Sequence, residues 1–459
     1  MNSSRIIRLA HTIQLNETAI LNNAYHYLDS LNAFGIKLEL NRIDTICKLL
    51  DNPQKSYPSV IIGGTNGKGS VSAFLAAILQ ESGLKVGLFT SPHLVSAVER
   101  IQINRIPIKP FRLAQLIHEQ KKLDGQHTVN LTYFECMTAL SFQYFKDEKI
   151  DFGIFEVGLG GTYDATNILE PLLSCVTHIH YDHTNYLGTT LPSIAREKAG
   201  IIKHNGCFIH MERRPSLKKI FARMCAAKDS LCINALQGTK VFLKFEYPYY
   251  RASFVTPHHH YQPVRIPLLG RHQVFNALLA VRIAEELINR GLKIPFSAIE
   301  AGIEHTKWEG RLEMVSRKPL IFIDSAHNLE GIQTAFETML LLKKQKLIVL
   351  FGVLKDKLWR KMLKIIDVHA DYIIFSEPVS ERALSAEEFA RVSIKTAHEI
   401  IPDPSKAYAR ALEKADDDSI ILVIGSTYLA GHIKNSVFSE GTAYLKHMLL
   451  TKKNISINL

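Results

Sequence analysis

The chain of 459 residues has no apolar run near the roughly 18 residues that a membrane span needs. Its first stretch, MNSSRIIRLAHTIQLNE, lacks the continuous apolar core of a signal peptide. Cysteine is scarce: six residues, at 47, 136, 175, 207, 225 and 232, with no C-x-x-C pair and no zinc-finger spacing. That argues against a disulfide scaffold and predicts reduced, mostly buried thiols in a cytoplasmic protein. There is no basic run interleaved with aromatics, so nucleic acid is not an expected partner. No N-K-x-D motif is present to read guanine, which argues against a GTP switch. No internal repeat or low-complexity tract stands out.

What is present is the profile of a globular protein, 46% hydrophobic and 22% charged. The length predicts two or three domains. The formal net charge of +11 favours anionic partners without choosing among nucleic acid, nucleotide and polycarboxylate.

SVIIGG (59–64) reads as a buried strand, and GKGSVSAFLAAILQESG follows as a helix. Val71, Phe74, Leu75, Ile78 and Leu79 recur at helical spacing, with Gly83 as the stop. KVGLFTS (85–91), FGIFEVG (152–158) and LLSCVTHI (172–179) read as further buried strands. Strands alternating with helices predict a parallel α/β sheet. From about 205 to 268 the pattern changes to β-type segments such as TKVFLKFEY, with the tract Pro257-His258-His259-His260 read as a hairpin loop. After about 307 a second, smaller Rossmann-like α/β pattern begins with LIFIDS (320–325), then LIVLFG, YIIF and IILVIG. TKWEGRLEMVSRK is expected to carry the chain between the two units.

Between strand and helix lies GGTNGKGS (63–70). It is shorter than the usual P-loop, and a Gly follows Lys68 where Ser or Thr is expected. A strand that ends in glycines and turns into a helix aims backbone N–H groups and the helix dipole at one spot, where phosphate fits. Lys68 would reach the β- and γ-phosphates and Ser70 would ligate Mg²⁺. An ordinary glycine-rich turn would not need Lys and Ser in this register. The Mg²⁺ needs an acidic partner at a neighbouring strand end, and Glu156 is placed there. A second glycine-rich turn, GLGGTYDATN, adds Asp164 and Asn167. Asp182 and His183 follow the strand 172–179, where a neutral imidazole could ligate a metal. Lys198 in REKAGIIK falls on a helix, and spacing alone makes it a solvated surface residue. Asn276 in GRHQVFNA, Arg311 in WEGRLE, and Asp324 and His327 in IDSAHN place polar groups near a cleft between the two units.

The motifs GTNGKGS, TSPHL…ER, TYFE, EVGLGG…DATN, DHT…LG, REKAGI, GRHQ…NA, GRLE, D-A-HN and GSTYL run in this order through the chain. Their succession, from FGIKLELNRI (34–43) to about residue 431, resembles the bifunctional dihydrofolate synthase/folylpolyglutamate synthase family of bacteria, in the Mur ligase superfamily. The resemblance implies an α/β fold: an N-terminal P-loop ATPase domain with a mostly parallel sheet, residues 1–307, and a smaller C-terminal Rossmann-like ligase domain, residues 308–459. It implies a ligase that phosphorylates a pterin carboxylate with ATP and passes the acyl group to L-glutamate. Dihydropteroate or a reduced folate would be the other substrate, and a monomer is expected. A sister ligase acting on a UDP-linked precursor would carry an extra N-terminal domain, for which the 58 residues ahead of SVIIGG are too few.

By the same resemblance Thr65, Asn66, Gly67, Lys68, Gly69 and Ser70 would cradle the nucleotide. Asn276, Arg311 and Asp324 would contact it, and His327 from the second domain would join Lys68 and Lys198 in catalysis. Ser70 and Glu156 would hold one Mg²⁺. His183 and Lys198, carbamylated by CO₂, would hold a second. Ser91, Pro92, His93, Phe134 and Asp164 would lie near the pterin or the glutamate. The chain departs from the family pattern at Thr162, where Arg is common, at His180, and at Glu309, where Pro often precedes the Gly-Arg pair.

Overall fold

The computed structural model describes residues 20–35, 37–342 and 346–437. The N-terminal stretch up to Glu17, Ile36 of FGIKLELNRI, and the end of the expected second domain beyond residue 437 lie outside the described residues.

The first unit is built on eight strands: β1 (Ser59–Gly63), β2 (Val86–Phe89), β3 (Ile101–Ile103), β4 (Ile106–Pro107), β5 (Phe152–Glu156), β6 (Leu173–Val176), β7 (Cys207–His210) and β8 (Leu231–Asn234). They lie in the order β4-β3-β2-β5-β1-β6-β7-β8. β3 pairs antiparallel with β2 and β4, and the other neighbours are parallel. β1 and β5 are buried along their whole length. That explains why they read as continuous apolar runs rather than as alternating ones.

The helix Lys68–Glu81 is buried from Gly69 to Leu79, well beyond the stripe its spacing predicted. It is covered by the helices Arg271–Asn289 and Phe296–Glu304. Gly302 allows the second of these to approach closely: a Cβ there would lie 2.4 Å from the Ile78 Cα.

The region expected to be β-type from 205 to 268 divides in two. Its first half continues the parallel sheet through β7, the helix Pro215–Ala226 and β8. Only its second half is separate, an antiparallel sheet of β9 (Lys240–Glu246), β10 (Tyr249–Val255) and β11 (His260–Ile266). The histidine tract forms the β10–β11 turn, and the His259 ring stacks on Phe296 with centroids 4.0 Å apart.

The second unit is a six-stranded sheet in the order β12-β13-β17-β14-β15-β16. Its strands are β12 (Glu313–Arg317), β13 (Leu320–Ile323), β14 (Leu347–Phe351), β15 (Tyr372–Phe375), β16 (His398–Ile400) and β17 (Ile420–Ile424). LIFIDS is therefore its second strand. The expected connector contains β12, paired antiparallel with β13. Its polar, partly exposed residues hid a strand that occupies a sheet edge. Five of the six cysteines are buried and Cys232 is partly so; all are free thiols.

A buried polar knot joins the helix Arg271–Asn289 to the small sheet. Glu285 pairs with Arg282 and accepts hydrogen bonds from Thr256 Oγ1 at 2.5 Å and the Tyr261 hydroxyl at 3.0 Å. Both charged side chains are less than a tenth exposed. Removing one partner of such a pair leaves an uncompensated buried charge. Glu285→Ala is expected to cost about 3–5 kcal/mol of stability, read as a lower urea midpoint. Adding Arg282→Met should recover most of the loss, and an unchanged midpoint in Glu285→Ala alone would contradict this account.

Candidate active site

The parallel strands deliver their functional residues at one edge of the first sheet, beyond the C-terminal ends of β1, β5 and β6. β1 ends at Gly63, and the loop turns through Gly64 and Gly67, with φ of 138° and 83°, into the helix that starts at Lys68. The loop rests directly on its neighbours. A Cβ on Gly64 would lie 1.9 Å from Thr177 Oγ1, and one on Gly67 would lie 2.6 Å from Asn276 Oδ1. Thr65 N–H donates to the His178 carbonyl at 2.7 Å, and Thr177 Oγ1 donates to the Asn66 carbonyl at 2.7 Å. Asn276 thus sits behind the loop, its amide donating to Gln273 Oε1 at 2.9 Å. Gly69 abuts the indole of Trp308, and Ser70 is buried in the first helical turn.

Two lysines meet at this loop. Lys68 Nζ lies 3.3 Å from the carbonyls of both Gly64 and Thr65. Lys198, the last residue of the helix Leu191–Lys198, lies 2.9 Å from the same Gly64 carbonyl. The expectation of a solvated Lys198 is overturned: it is only 5% exposed. Burial, reinforced by the charge on Lys68, pulls its pKa down to about 7. At the end of β5, Glu156 accepts from Ser91 N–H at 3.1 Å. Burial pushes its carboxyl above the usual range, against the pull of Lys68, Arg311 and Arg100.

The loop after β2 carries Ser91, Pro92 and His93 into a cavity of about 720 Å³ that Glu156, Arg311 and Trp308 also line. His93 Nδ1 accepts from Arg100 Nε at 2.9 Å, and burial with that guanidinium lowers its pKa to about 4. Arg100 also lies over the Tyr133 ring, 5.1 Å from its centroid. Phe134 packs on Phe89 and closes against Gly158, where a Cβ would lie 2.6 Å from its ring. Asp164 organises its own loop: its two oxygens accept from the N–H groups of Gly158, Leu159 and Thr166 and from Thr166 Oγ1.

The second unit closes onto this edge. Asp324, at the end of β13, accepts from Leu312 N–H at 2.7 Å and Ala326 N–H at 2.6 Å, so it holds the backbone that presents Arg311. Burial raises its carboxyl, with Arg311 opposing. His327 donates from Nδ1 to the Ser325 carbonyl at 2.9 Å, and burial lowers its pKa to about 4. Its Nε2 lies 3.8 Å from Asp182, which is also 3.9 Å from His183 Nε2 and 3.0 Å from Lys357 Nζ. The Lys357 ammonium, with the two imidazoles beside it, holds Asp182 below the usual carboxylate range despite its burial. His183 is itself lowered to about 4, mainly by burial.

Direct bonds cross between the units. Asn66 donates to Glu330 at 2.6 Å, Asn328 donates to Asn66 at 2.9 Å, and His178 pairs with Glu330 at 2.8 Å. Lys357, Glu330, Asn328 and Arg100 were not singled out from the sequence. Only Arg100 and Asn328 fall within quoted motifs, and nothing local marks Lys357 or Glu330, whose partners lie in the other unit.

Among the described residues no group of three or more His, Cys, Asp or Glu side chains is placed to hold a metal unaided. The donor chemistry nonetheless fits Mg²⁺ carried on a nucleotide. Ser70 and Glu156 offer the oxygen ligands it prefers, and the buried Glu156 carboxyl is of the kind a divalent cation would stabilise in its charged form.

Residues 62–284 match the Mur ligase middle domain and residues 310–427 the Mur ligase glutamate ligase domain. The dihydrofolate synthase/folylpolyglutamate synthase of Bacillus subtilis is 35% identical over 410 residues, covering 87% of this chain and 95% of that protein. The Escherichia coli protein of the same name is 30% identical, covering 89% and 93%. Among solved structures, Mycobacterium tuberculosis folylpolyglutamate synthase complexed with ADP superposes with a TM-score of 0.86 at 29% identity, over 92% of this chain and 99% of that one. Escherichia coli FolC in complex with DHPP and ADP gives 0.81 at 27% identity, over 91% and 98%. The chain belongs to the dihydrofolate synthase/folylpolyglutamate synthase family of Mur-type ATP-dependent ligases.

Proposed function

We propose that this ligase uses ATP to join L-glutamate to dihydropteroate or to the γ-carboxylate of a reduced folate, through an acyl phosphate. The observation that carries the reading is the meeting of Lys68 and Lys198 at the Gly64 carbonyl, with the buried Glu156 within the field of Lys68. The names of the relatives, and a structural neighbour bound to DHPP and ADP, support the substrate class. The cleft lies between an ATP-binding domain, residues 1–307, and a ligase domain, residues 308–459. The same reading has the chain act as a cytoplasmic monomer; among the described residues no helix is long and apolar enough to cross a membrane.

In the first step a carboxylate oxygen of the pterin substrate attacks the γ-phosphorus of ATP. The bond to ADP breaks and an acyl phosphate forms. In the second, the amine of glutamate adds to the acyl carbon, inorganic phosphate leaves, and the nitrogen gives up a proton. Lys68 exchanges its two long bonds to loop carbonyls for phosphate oxygens. The N–H groups at the start of its helix point at the same oxygens. Arg311, presented by the Asp324-held backbone, adds charge from the linker. His327 keeps its Nδ1 proton on Ser325 and offers a neutral Nε2 as acceptor to the incoming amine. Closing the two units excludes water from the acyl phosphate.

Ser70 and Glu156 would hold Mg²⁺ on the nucleotide, and His183 with a carbamylated Lys198 a second ion. Such ions offset charge on the transferring phosphoryl group. Carbamylation joins the nitrogen of the neutral Lys198 amine to the carbon of CO₂ with loss of a proton, turning a buried amine into an anionic oxygen donor. Its support is the burial of that amine at the P-loop and the REKAGI match.

Three outcomes are expected. Lys68→Ala loses ~10²–10³-fold in turnover with an unchanged unfolding midpoint, since its partner is the ligand; near-normal activity would remove the P-loop assignment. Enzyme, ATP, dihydropteroate and hydroxylamine, without glutamate, yield a hydroxamate. If none forms, and ADP appears only when glutamate is added, the stepwise route is wrong. For Lys198→Ala, acetate or formate restores part of the activity, because a carboxylate replaces the carbamate. Rescue by small amines alone would mean that an ammonium is the working form.

A further inference from the structure

Two cysteines meet at the outer edge of the first sheet, two strands beyond β6, and the mechanism above uses neither. Cys225 is next to last in the helix Pro215–Ala226, and Cys232 is second in β8, the end strand of the sheet. The chain between them folds back tightly. The Cys225 carbonyl accepts from Lys228 N–H at 3.0 Å and Ser230 N–H at 2.9 Å, and Asp229 turns the chain with a φ of 51°. Side chains alternate across a strand, so Cys232 faces the helix while Ile233 faces the opposite layer. Cys225 is buried in that same cluster, and its thiol is hydrogen-bonded to the Cys232 sulfur.

A third group joins them. The His210 ring, at the end of β7, contacts Phe208 and Phe221, with centroids 5.9 and 5.0 Å away. Its Nδ1 accepts from Glu212 N–H at 3.2 Å, which leaves Nε2 to carry the proton of a neutral imidazole. The ring is hydrogen-bonded to the Cys232 sulfur. Two donors thus converge on one sulfur. Cys225 first, and then His210, hold the Cys232 thiol below the usual range against its burial. Cys225 moves the other way, because its proton is engaged in the bond to Cys232. Cys47, Cys136, Cys175 and Cys207 are at most 3% exposed, and burial raises each of them. Of the six cysteines, Cys232 alone is partly exposed.

We propose that Cys232 and Cys225 are a reversible oxidation site for hydroperoxides, in which Cys232 reacts first and Cys225 resolves it into a disulfide. The Cys232 sulfur attacks the peroxide, the O–O bond breaks, and the thiol proton leaves with the departing oxygen as water or an alcohol. The sulfenic acid so formed is attacked by the Cys225 sulfur; the S–S bond forms and a water leaves. Two thiols lose two electrons in all, and one peroxide is reduced. A small dithiol returns both thiols by exchange. An accessible, activated thiol beside a resolving partner is the arrangement that makes oxidation reversible, and a transient disulfide is compatible with a reducing compartment. The proposal is independent of the ligase reading.

The test treats the full chain, in native buffer, with hydrogen peroxide. Remaining thiols are capped with N-ethylmaleimide, and the protein is digested with trypsin without reduction. Trypsin cuts after Lys228, between the two cysteines, so the bond is read as MCAAK joined to DSLCINALQGTK. That pair should appear before any other thiol is lost, and dithiothreitol should abolish it. In Cys225→Ser, dimedone should label Cys232 as a sulfenic acid. In Cys232→Ser, loss of the first thiol at pH 7 should slow on the order of tenfold, with Cys225 still reduced. A bond from either cysteine to Cys207, loss of the four buried thiols at the same rate, or a dimedone label on Cys225 in the wild type would overturn the site. So would a cross-linked pair that forms only after unfolding in urea. The wild-type digest decides the question even if a variant fails to fold.

Discussion

The phosphate loop presses its bare backbone against the side chains of Thr177 and Asn276. Gly64 has no room for a Cβ against Thr177, and Gly67 has none against Asn276. That close approach sets the position of the Gly64 carbonyl, and the carbonyl sets the position of two amines. One comes from the loop's own helix and the other from a helix more than a hundred residues later. A side chain at Gly64 would lift the loop off the end of β6 and separate the lysines before any ligand arrived.

Around this point the protein keeps charge in places where water cannot compensate it. Glu156 and Asp324 are buried carboxyls pushed up by desolvation, while Lys198 and His327 are buried bases pushed down. In all four, burial shifts the balance toward the neutral form, and cations brought in with a nucleotide would oppose that shift for the acids. Asp182 is the exception. It is charged because Lys357 reaches across from the second unit to meet it, and the electrostatics of the first unit are incomplete without the second.

The sequence was informative wherever function is carried by consecutive residues. The β1–loop–helix unit is legible because buried parallel strands are apolar throughout and because Lys68 and Ser70 stand in register behind glycine. The order of ten short motifs carried the family. Legibility failed where a residue's meaning comes from a distant partner. Lys198 reads as a surface lysine on a short helix, since nothing beside it discloses that Gly64 lies overhead. Glu330 and Lys357 look like ordinary polar residues, and their partners Asn66, His178 and Asp182 belong to the other unit. β12 reads as a connector because an edge strand with half-exposed residues has no distinctive period. Asp164 falls between the two cases: its motif was visible, but its four hydrogen bonds to the surrounding loop were not.

The linker is more than a tether. Trp308 lies against Gly69, with its indole 3.0 Å from where a Cβ would be, and Arg311 follows three residues on, held through Leu312 by Asp324. The indole is wedged at the first turn of the helix that begins the phosphate cradle. Any swing of the second unit must therefore drag this wedge across the cradle. Hinge angle and cradle shape become one mechanical coordinate, so the protein cannot open its cleft while leaving its grip on phosphate unaltered.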